Sequence, residues 1–355
     1  MSTWKVAAVQ MDCAFADVGR NLEAIRRGLA DSAGRGARLA LFPECALSGY
    51  CYQSLEEARP HAQPLPGPAS DALAADCKRL GVFAAVGMLE LAEGGRLFNA
   101  CVLVGPDGLV ASYRKIHLPF LGVDRFVTPG DRPFAVHDLG GLKVGLSICY
   151  DGSFPESARV LSLLGADLVV LATNWPTGAR KTVCMSEARA MENHVYYAAV
   201  NRVGQERGFE FIGQSRVIDP DGTALAQALT EGPELLLAEI DPARARAKRV
   251  VKIPGEYEID RVGDRRPEMY GPLTAPQARP SQARPSQARP SQARPWGRAG
   301  RLTPSLTVGP WIQPPLPPTA EPPGRPPGFR SPPAGLPGRR PRGSARSRAA
   351  SPAAP

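Results

Sequence analysis

Residues 142–156 read LKVGLSICYDGSFPE, an apolar run that stops at Cys149 and is followed by turn-forming residues. A short apolar run bounded by turn signals predicts a buried strand over residues 142–148. The FPE sequence at residues 154–156 then predicts the start of a helix, because proline is well tolerated in a first helical turn. Cys149 is therefore expected at a strand-to-helix turn.

Strand and helix patterns alternate outward from this segment over the first 240 residues. Such alternation predicts an α/β fold with buried sheets. Residues 38–42 form a predicted strand that ends just before Glu44. Residues 97–104 and 109–116 predict a hairpin around a GPDG turn, and Lys115 lies near the end of that hairpin. Two charged side chains are thus expected at strand ends.

Other segments complete the predicted secondary structure. Asp17 is placed to cap a helix, because a side-chain oxygen at that position can accept a backbone N–H of the first turn. The remaining expectations are a helix over residues 69–80, a helix over residues 182–193, a strand over residues 211–218, and a basic helix with an extended arm over residues 241–272.

Glu44, Lys115 and Cys149 supply the three group types that amide hydrolysis requires. A thiol can serve as nucleophile, a carboxylate as base, and an ammonium group can stabilise the oxyanion of a tetrahedral intermediate. Burying one charged group at the end of an apolar strand is costly, whereas burying an opposite pair is tolerated. The sequence therefore predicts a paired Glu44 and Lys115 near the cysteine.

Three segments carry a resemblance to a known family: LFPECALSGY at residues 41–50, YRKIHLP at 113–119 and SICYDGSFPE at 147–156. Together they resemble the signature blocks of the nitrilase or carbon–nitrogen hydrolase superfamily, in its amidase-like branch. The resemblance spans about residues 5–272. It implies a nitrilase-like αββα four-layer sandwich and a homodimer or larger homo-oligomer.

By this resemblance, Glu44 is the general base, Cys149 the nucleophile and Lys115 the group that stabilises the tetrahedral intermediate. The implied reaction is cleavage of a small linear amide or N-carbamoyl compound through a thioester on Cys149, with release of ammonia or an amine. A base and a cation near the thiol are expected to raise its thiolate fraction, and a helix beginning just after it adds a favourable dipole.

The same resemblance suggests three pocket residues and shows two departures from the family pattern. The backbone N–H of Tyr150 is the expected second oxyanion donor, and Asn174 is a candidate pocket residue. Asp124 stands where many members have a second glutamate, which is one methylene longer. Gly152 and Ser153 replace the Leu-Arg that commonly follows Cys-Tyr-Asp in amidase-like members. These departures bear on which substrate is bound rather than on the reaction that the three catalytic residues carry out.

The positive charge of the chain is concentrated in its last quarter. Residues 273–355 hold thirteen Arg, one Glu and 21 of the 38 Pro residues, so this segment carries +12 and residues 1–272 carry −3. From residue 277 the unit QARPS repeats every five residues, a period far shorter than that of solenoid repeats. We therefore expect a carbon–nitrogen hydrolase domain over residues 1–272 and a disordered, low-complexity Pro/Arg-rich tail over residues 273–355.

The sequence predicts a cytoplasmic protein that needs neither cofactor nor metal. Its seven cysteines are odd in number and irregularly spaced, which favours reduced thiols over a disulfide framework. No segment shows zinc-ligand spacing or a glycine-rich phosphate loop, and none shows a signal peptide or an apolar membrane span. The basic tail lacks interleaved aromatic residues, which limits nucleic acid to non-specific contact.

Several alternatives stay open at this point. Cys149 taken alone is typical of a buried core thiol, and His117, two residues from Lys115, leaves a Cys-His hydrolase as a further hypothesis. Nitriles are alternative substrates. From a different class, the chain could be a non-catalytic basic scaffold that binds nucleic acid through its tail.

Overall fold

The computed structural model describes residues 3–276, apart from the side chains of residues 180–182. The predicted tail therefore lies outside the described residues from residue 277 onward. The strands are β1 Trp4–Gln10, β2 Leu39–Leu41, β3 Phe83–Leu91, β4 Leu97–Gly105, β5 Gly108–Arg114, β6 Val136–Asp138, β7 Lys143–Ile148, β8 Leu168–Thr173, β9 Tyr196–Asn201, β10 Val203–Glu206, β11 Phe209–Ile212, β12 Arg216–Ile218, β13 Ala224–Gln227, β14 Glu234–Ile240, β15 Val250–Ile253 and β16 Tyr257–Ile259. The α-helices are α1 Val18–Gly34, α2 Leu55–Ala58, α3 Pro68–Leu80, α4 Pro155–Leu163, α5 Met185–Asn193 and α6 Pro242–Arg246.

Twelve of these strands form two six-stranded sheets with the same plan. The first sheet has the order β14-β1-β2-β3-β4-β5, and the second has the order β13-β12-β9-β8-β7-β6. In each sheet three neighbouring strands run parallel, β1 to β3 in the first and β7 to β9 in the second, and antiparallel strands flank them on both sides. The carboxyl ends of the parallel strands therefore meet at one edge of each sheet.

The two sheets pack face to face, and helices cover their outer faces. One buried cluster joins the inner faces, with Leu41 and Leu103 from the first sheet and Leu146 and Val170 from the second. A second cluster packs α1 and α3 on the first sheet, and a third packs α4 and α5 on the second. The order helix, sheet, sheet, helix confirms the predicted αββα four-layer sandwich. Within residues 3–276 no helix has the length and apolar character to cross a membrane.

Helix α1 shows how local sequence signals set the boundaries of an element. Asp17 is its N-cap, and its Oδ1 accepts a hydrogen bond from the backbone N–H of Arg20 at 3.0 Å. Ile25 and Leu29 are fully buried against the first sheet. The helix ends at Gly34, and Gly36 takes a φ of 83°, a conformation that glycine adopts at little cost. The predicted cap is therefore confirmed.

The predicted strand over residues 211–218 is wrong as a single element. Gly213 and Gln214 have φ values of 61° and 58°, which turn the chain out of extended geometry. The segment is therefore divided between two strands: β11 pairs with β10 in a separate two-stranded sheet, and β12 joins β9 and β13 in the second large sheet.

Two other segments depart in part from the sequence expectation. The predicted helix over residues 182–193 is helical, but α5 begins only at Met185 and is preceded by a 3₁₀ helix, Thr177–Cys184. In residues 241–272 the basic helix is confined to α6, and the arm folds back as the hairpin β15-β16 before two short 3₁₀ turns.

A buried ion pair anchors the segment that follows Glu44. Arg202 is fully buried and pairs with Glu206, which is 3% exposed. The Oε1 atom of Glu206 accepts hydrogen bonds from the backbone N–H groups of Tyr50 at 2.8 Å and Cys51 at 2.5 Å. Because a buried charge needs such partners, this contact ties the loop to β10.

Truncation of the core between the sheets should cost much of the stability of the domain. We expect Leu103→Ala to lower the free energy of unfolding by about 2–5 kcal/mol, because Leu103 is fully buried and its removal leaves a cavity. The matched control is Leu229→Ala, since Leu229 is 89% exposed and should change stability by less than about 0.5 kcal/mol. Urea unfolding followed by circular dichroism measures both, and equal losses would contradict the assigned packing.

Candidate active site

The ends of three strands bring Glu44, Lys115 and Cys149 together. Glu44 follows β2, Lys115 follows β5, and Cys149 follows β7. The strands β2 and β5 belong to the first sheet, whereas β7 belongs to the second. The site therefore lies between the two sheets, and each sheet contributes part of it.

Lys115 lies at the centre of a buried cluster of charges. Its side chain is inaccessible to solvent, and its Nζ contacts Glu44 Oε1 at 2.6 Å and Asp124 Oδ2 at 2.5 Å. Burial alone would lower the pKa of Lys115, but the charges of Asp124 and Glu44 outweigh it and hold that pKa well above its ordinary value. The lysine is therefore a fixed cation.

Asp124 reaches Lys115 although it is shorter than a glutamate. It lies on a 3₁₀ helix, Gly122–Arg125, that is held against the loop after Glu44 by a hydrogen bond from Val123 N to Tyr50 O of 2.8 Å. The Tyr50 hydroxyl also donates to Asp124 Oδ2 at 2.9 Å. These two hydrogen bonds hold the Asp124 carboxylate against Lys115.

Asn99, which the sequence analysis did not single out, joins the two carboxylates. Its Nδ2 donates to Glu44 Oε1 at 2.7 Å and to Asp124 Oδ1 at 2.9 Å, and its Oδ1 faces Cys45 Sγ at 3.6 Å. The cluster contains two carboxylates and one ammonium, so these donors stabilise its excess negative charge. The only sequence signal was an amide residue inside the apolar run of β4.

Glu44 is fully buried, and only one of its two carboxylate oxygens is hydrogen-bonded within the described residues. Burial raises the pKa of its carboxyl above the ordinary value, the Lys115 charge opposes that rise, and the Asp124 charge adds to it. Its Oε1 is engaged, but Oε2 is buried and has no hydrogen-bond partner among the described residues. An acceptor in that state is available to take a proton from a reacting group.

Cys149 occupies a strained turn next to this cluster. Its φ is 42°, a value that non-glycine residues adopt rarely and at a cost. Thr173 Oγ1 donates to Cys149 Sγ at 3.6 Å, and the backbone N–H of Asn174 also contacts the sulfur. Burial and the charge of Glu44 raise the pKa of the Cys149 thiol to about 12, although Lys115 acts in the opposite direction. The resting cysteine is thus a thiol, contrary to the expected rise in thiolate fraction.

The helix predicted to start at residues 154–156 is confirmed, because α4 begins at Pro155. Residues Cys149–Ser153, between β7 and α4, form a 3₁₀ helix. The backbone N–H of Tyr150 lies in the first turn of that 3₁₀ helix, where such groups lack partners within the helix. The ring of Tyr150 is 39% exposed and packs edge-on against Phe154, with ring centroids 5.1 Å apart.

Asp151 links the residues beside Lys115 to the strand that ends at Cys149. One oxygen, Oδ2, accepts from Tyr113 Oη at 2.7 Å and from the backbone N–H of Ile148 at 2.9 Å. The other oxygen, Oδ1, contacts His117 Nδ1 at 2.7 Å. Because Tyr113 and His117 flank Lys115 while Ile148 precedes the cysteine, this one buried carboxylate couples the two sheets at the site.

His117 is directed to a structural role by these contacts. Its Nδ1 faces Asp151, and its ring stacks on Phe154 with centroids 3.8 Å apart and planes tilted by 11°. Thr173 and Asn174, rather than His117, provide the hydrogen bonds to Cys149. The arrangement favours the Glu-Lys-Cys hypothesis over a Cys-His pair.

Asn174 is the pocket candidate with unused hydrogen-bonding groups. Its side chain is 1% exposed, and neither Oδ1 nor Nδ2 has a partner among the described residues.

No group of three His, Cys, Asp or Glu side chains within residues 3–276 is arranged to hold a metal ion.

The sequence agrees with one family over most of the described residues. The sequence model of the carbon–nitrogen hydrolase family matches residues 5–250. The chain belongs to the carbon–nitrogen hydrolase family, within the nitrilase superfamily.

Relatives within the family carry two kinds of name. A nitrilase from Pyrococcus abyssi is 38% identical over 269 residues, which is 75% of this chain and 98% of the relative. An omega-amidase from Homo sapiens is 31% identical over 256 residues, covering 68% of this chain and 90% of the relative. A solved amidase from Nesterenkonia sp. AN1 in complex with acrylamide superposes with a TM-score of 0.63 at 26% identity, covering 77% of this chain and 98% of that one.

The raised pKa of Cys149 makes a direct pH prediction. Between about pH 6 and pH 9 we expect no thiolate from Cys149, because a group with a pKa raised to about 12 stays protonated there. The ultraviolet thiolate absorbance of the wild type minus that of Cys149→Ser isolates this cysteine from the other six. A difference signal with a midpoint near the ordinary value of about 8.5 would contradict the assigned environment.

The contact between Asp124 and Lys115 predicts a strong effect of removing one charge. We expect Asp124→Asn to lower kcat/KM by about 100-fold, because the amide would place a donor against the ammonium and displace it. Asp131→Asn is the matched control, since Asp131 pairs with Arg114 and is partly exposed; it should retain activity. Steady-state hydrolysis rates and thermal unfolding measure both variants, and equal losses of rate would show that the Asp124 contact is dispensable.

Proposed function

We propose that the protein is an amidohydrolase that cleaves the C–N bond of a small linear amide or N-carbamoyl compound through a thioester on Cys149. The observation that carries this proposal is the buried Lys115, fixed between Glu44 and Asp124 beside the cysteine. One oxygen of Glu44 has no hydrogen-bond partner within residues 3–276. A cation, a base and a nucleophile in one buried place are the requirements of acyl transfer from an amide.

In the proposed first half-reaction, Cys149 enters as a thiol. Glu44 takes the thiol proton as the sulfur attacks the carbonyl carbon, and a carbon–sulfur bond forms. The oxyanion of the tetrahedral intermediate is stabilised by the Lys115 ammonium and the backbone N–H of Tyr150. Glu44 then gives its proton to the nitrogen, the carbon–nitrogen bond breaks, and ammonia or an amine leaves.

In the proposed second half-reaction, water replaces the amine. Glu44 takes a proton from a water molecule while the oxygen of that water attacks the thioester carbonyl. The resulting intermediate loses the carbon–sulfur bond, and the thiolate recovers its proton from Glu44. The products are a carboxylic acid and the restored thiol, so the same residue acts as base and acid in both halves.

The relatives support this reaction class without deciding the substrate. The omega-amidase and the amidase from Nesterenkonia sp. AN1 are named for amide hydrolysis, and the latter was also solved with the acetamide moiety of fluoroacetamide added covalently at its active-site cysteine. The relative from Pyrococcus abyssi, with the highest identity among those described here, is named a nitrilase. Nitrile hydrolysis is therefore the second candidate.

The test is ammonia release from a panel of small amides, N-carbamoyl compounds and nitriles, with intact mass spectrometry of the protein during turnover. We expect the wild type to hydrolyse amides or N-carbamoyl compounds and to carry an acyl adduct on the peptide that contains Cys149. Cys149→Ala should lose both, because it lacks the nucleophile.

Cys184→Ala is the matched control for the loss of a thiol, because Cys184 lies in the 3₁₀ helix before α5 and is exposed. It should release ammonia at the wild-type rate. Turnover of nitriles alone would overturn the amidase proposal in favour of the second candidate. Ammonia release by Cys149→Ala equal to that of the wild type would remove Cys149 from the mechanism.

A further inference from the structure

A small cavity lies directly beside Cys149 on the side of the second sheet that faces α4 and α5. Its volume is about 10 Å³, close to the minimum that a water-sized group needs. The lining residues used below are Cys149, Gly152, Leu171, Trp175, Ser186 and Tyr197. None of the contacts of Lys115, Glu44 or Asp124 described above accounts for this space.

Ser186 gives the cavity an unused polar group. The side chain is 1% exposed, and its Oγ has no hydrogen-bond partner among the described residues. A buried hydroxyl without a partner is unfavourable, because folding removes it from water and returns no hydrogen bond. A ligand atom that bonds to Ser186 would therefore be favoured over an apolar atom of the same size.

Gly152 keeps this cavity open. A Cβ atom at this position would lie 3.0 Å from Leu171 Cδ2 and 3.3 Å from the Tyr197 hydroxyl oxygen, closer than most such contacts. A larger side chain would crowd the space next to the sulfur. The absence of a side chain at position 152 therefore leaves room beside the sulfur.

We propose that this cavity receives the hydroxyl group of a hydroxymethyl acyl substituent, and that this hydroxyl bonds to Ser186 Oγ. The inference rests on the proposed function, because an acyl group bound to Cys149 places its first substituent atoms beside the sulfur. The substrate class is that of short 2-hydroxy amides, and glycolamide is the simplest member.

Glycolamide and propionamide make a matched pair of probes, because they have the same number of non-hydrogen atoms and differ by a hydroxyl in place of a methyl group. We expect the wild type to favour glycolamide in kcat/KM by about five- to tenfold, as one additional hydrogen bond allows. Ser186→Ala should abolish this preference, chiefly through a higher KM for glycolamide.

Ser157→Ala is the control variant, because Ser157 Oγ is also buried without a partner in the described part of the chain but lies outside the cavity lining. It should retain the wild-type preference. Gly152→Ala provides an independent variant and should weaken turnover of both probes relative to acetamide by narrowing the cavity. Thermal unfolding confirms that each variant is folded. If Ser186→Ala does not fold, Ser186→Cys is used in its place.

The outcomes separate the two proposals. If the wild type hydrolyses amides but the ratio of glycolamide to propionamide is unchanged by Ser186→Ala, the acyl site is refuted and the amidase proposal stands. If Ser157→Ala lowers the ratio as much as Ser186→Ala does, the effect does not arise in the cavity and the inference fails. If neither acetamide, glycolamide nor propionamide is hydrolysed, the proposed function fails for small amides and the acyl site fails with it.

Discussion

The buried ammonium of Lys115 is the constraint on which the site and much of the fold depend. Moving an ammonium or a carboxylate out of water costs several kcal/mol, and only close partners offset that cost. Here Glu44 and Asp124 supply the opposite charge, while Asn99 donates to Glu44 Oε1 and Asp124 Oδ1 and the hydroxyl of Tyr50 donates to Asp124 Oδ2. The members of this network come from β4, from the loops after β2 and β5, and from the short helix that carries Asp124. The charges therefore hold these segments in one geometry.

Burial, more than charge, affects the thiol. It is the main cause of the raised pKa of Cys149, and the charge of Glu44 adds to it. A cysteine with a pKa raised to about 12 is a poor nucleophile on its own. In the proposed reaction, its activation depends on the transfer of a proton to Glu44 during attack rather than on a thiolate present beforehand. A protonated thiol also reacts slowly with oxidants, because these react mainly with thiolate.

The sequence predicted the parts of the site that lie at strand ends. Apolar runs that stop at Glu44, before Lys115 and at Cys149 are visible without a structure, and parallel strands bring such ends to one edge. Asn99 was missed because a single amide residue inside a buried strand gives no periodic signal. The contacts of Asp151 with Tyr113 and His117 were missed for a different reason, since these residues lie 38 and 34 residues away in the chain and meet it only when the sheets pack.

Backbone geometry explains the errors in the fold prediction. The segment at residues 211–218 has the composition of one strand, but the positive φ values of Gly213 and Gln214 divide it between two sheets. Gln214 carries no sequence signal for that conformation, which tertiary contacts impose. The arm after residue 241 likewise folds as a hairpin through pairing between β15 and β16, which the basic composition obscured.

The pairing of β1 with β14 has a consequence for how the chain is made. Their paired positions lie from 224 residues apart, for Gln10 with Glu234, to 236 residues apart, for Trp4 with Ile240, and the two strands are neighbours in the first sheet. During synthesis on a ribosome, the amino-terminal strand must wait for almost the whole domain before its edge is covered. Until then β1 presents unpaired backbone groups, which are a template for association with other chains. A nascent or truncated chain that ends before residue 234 is therefore the form most in need of a chaperone.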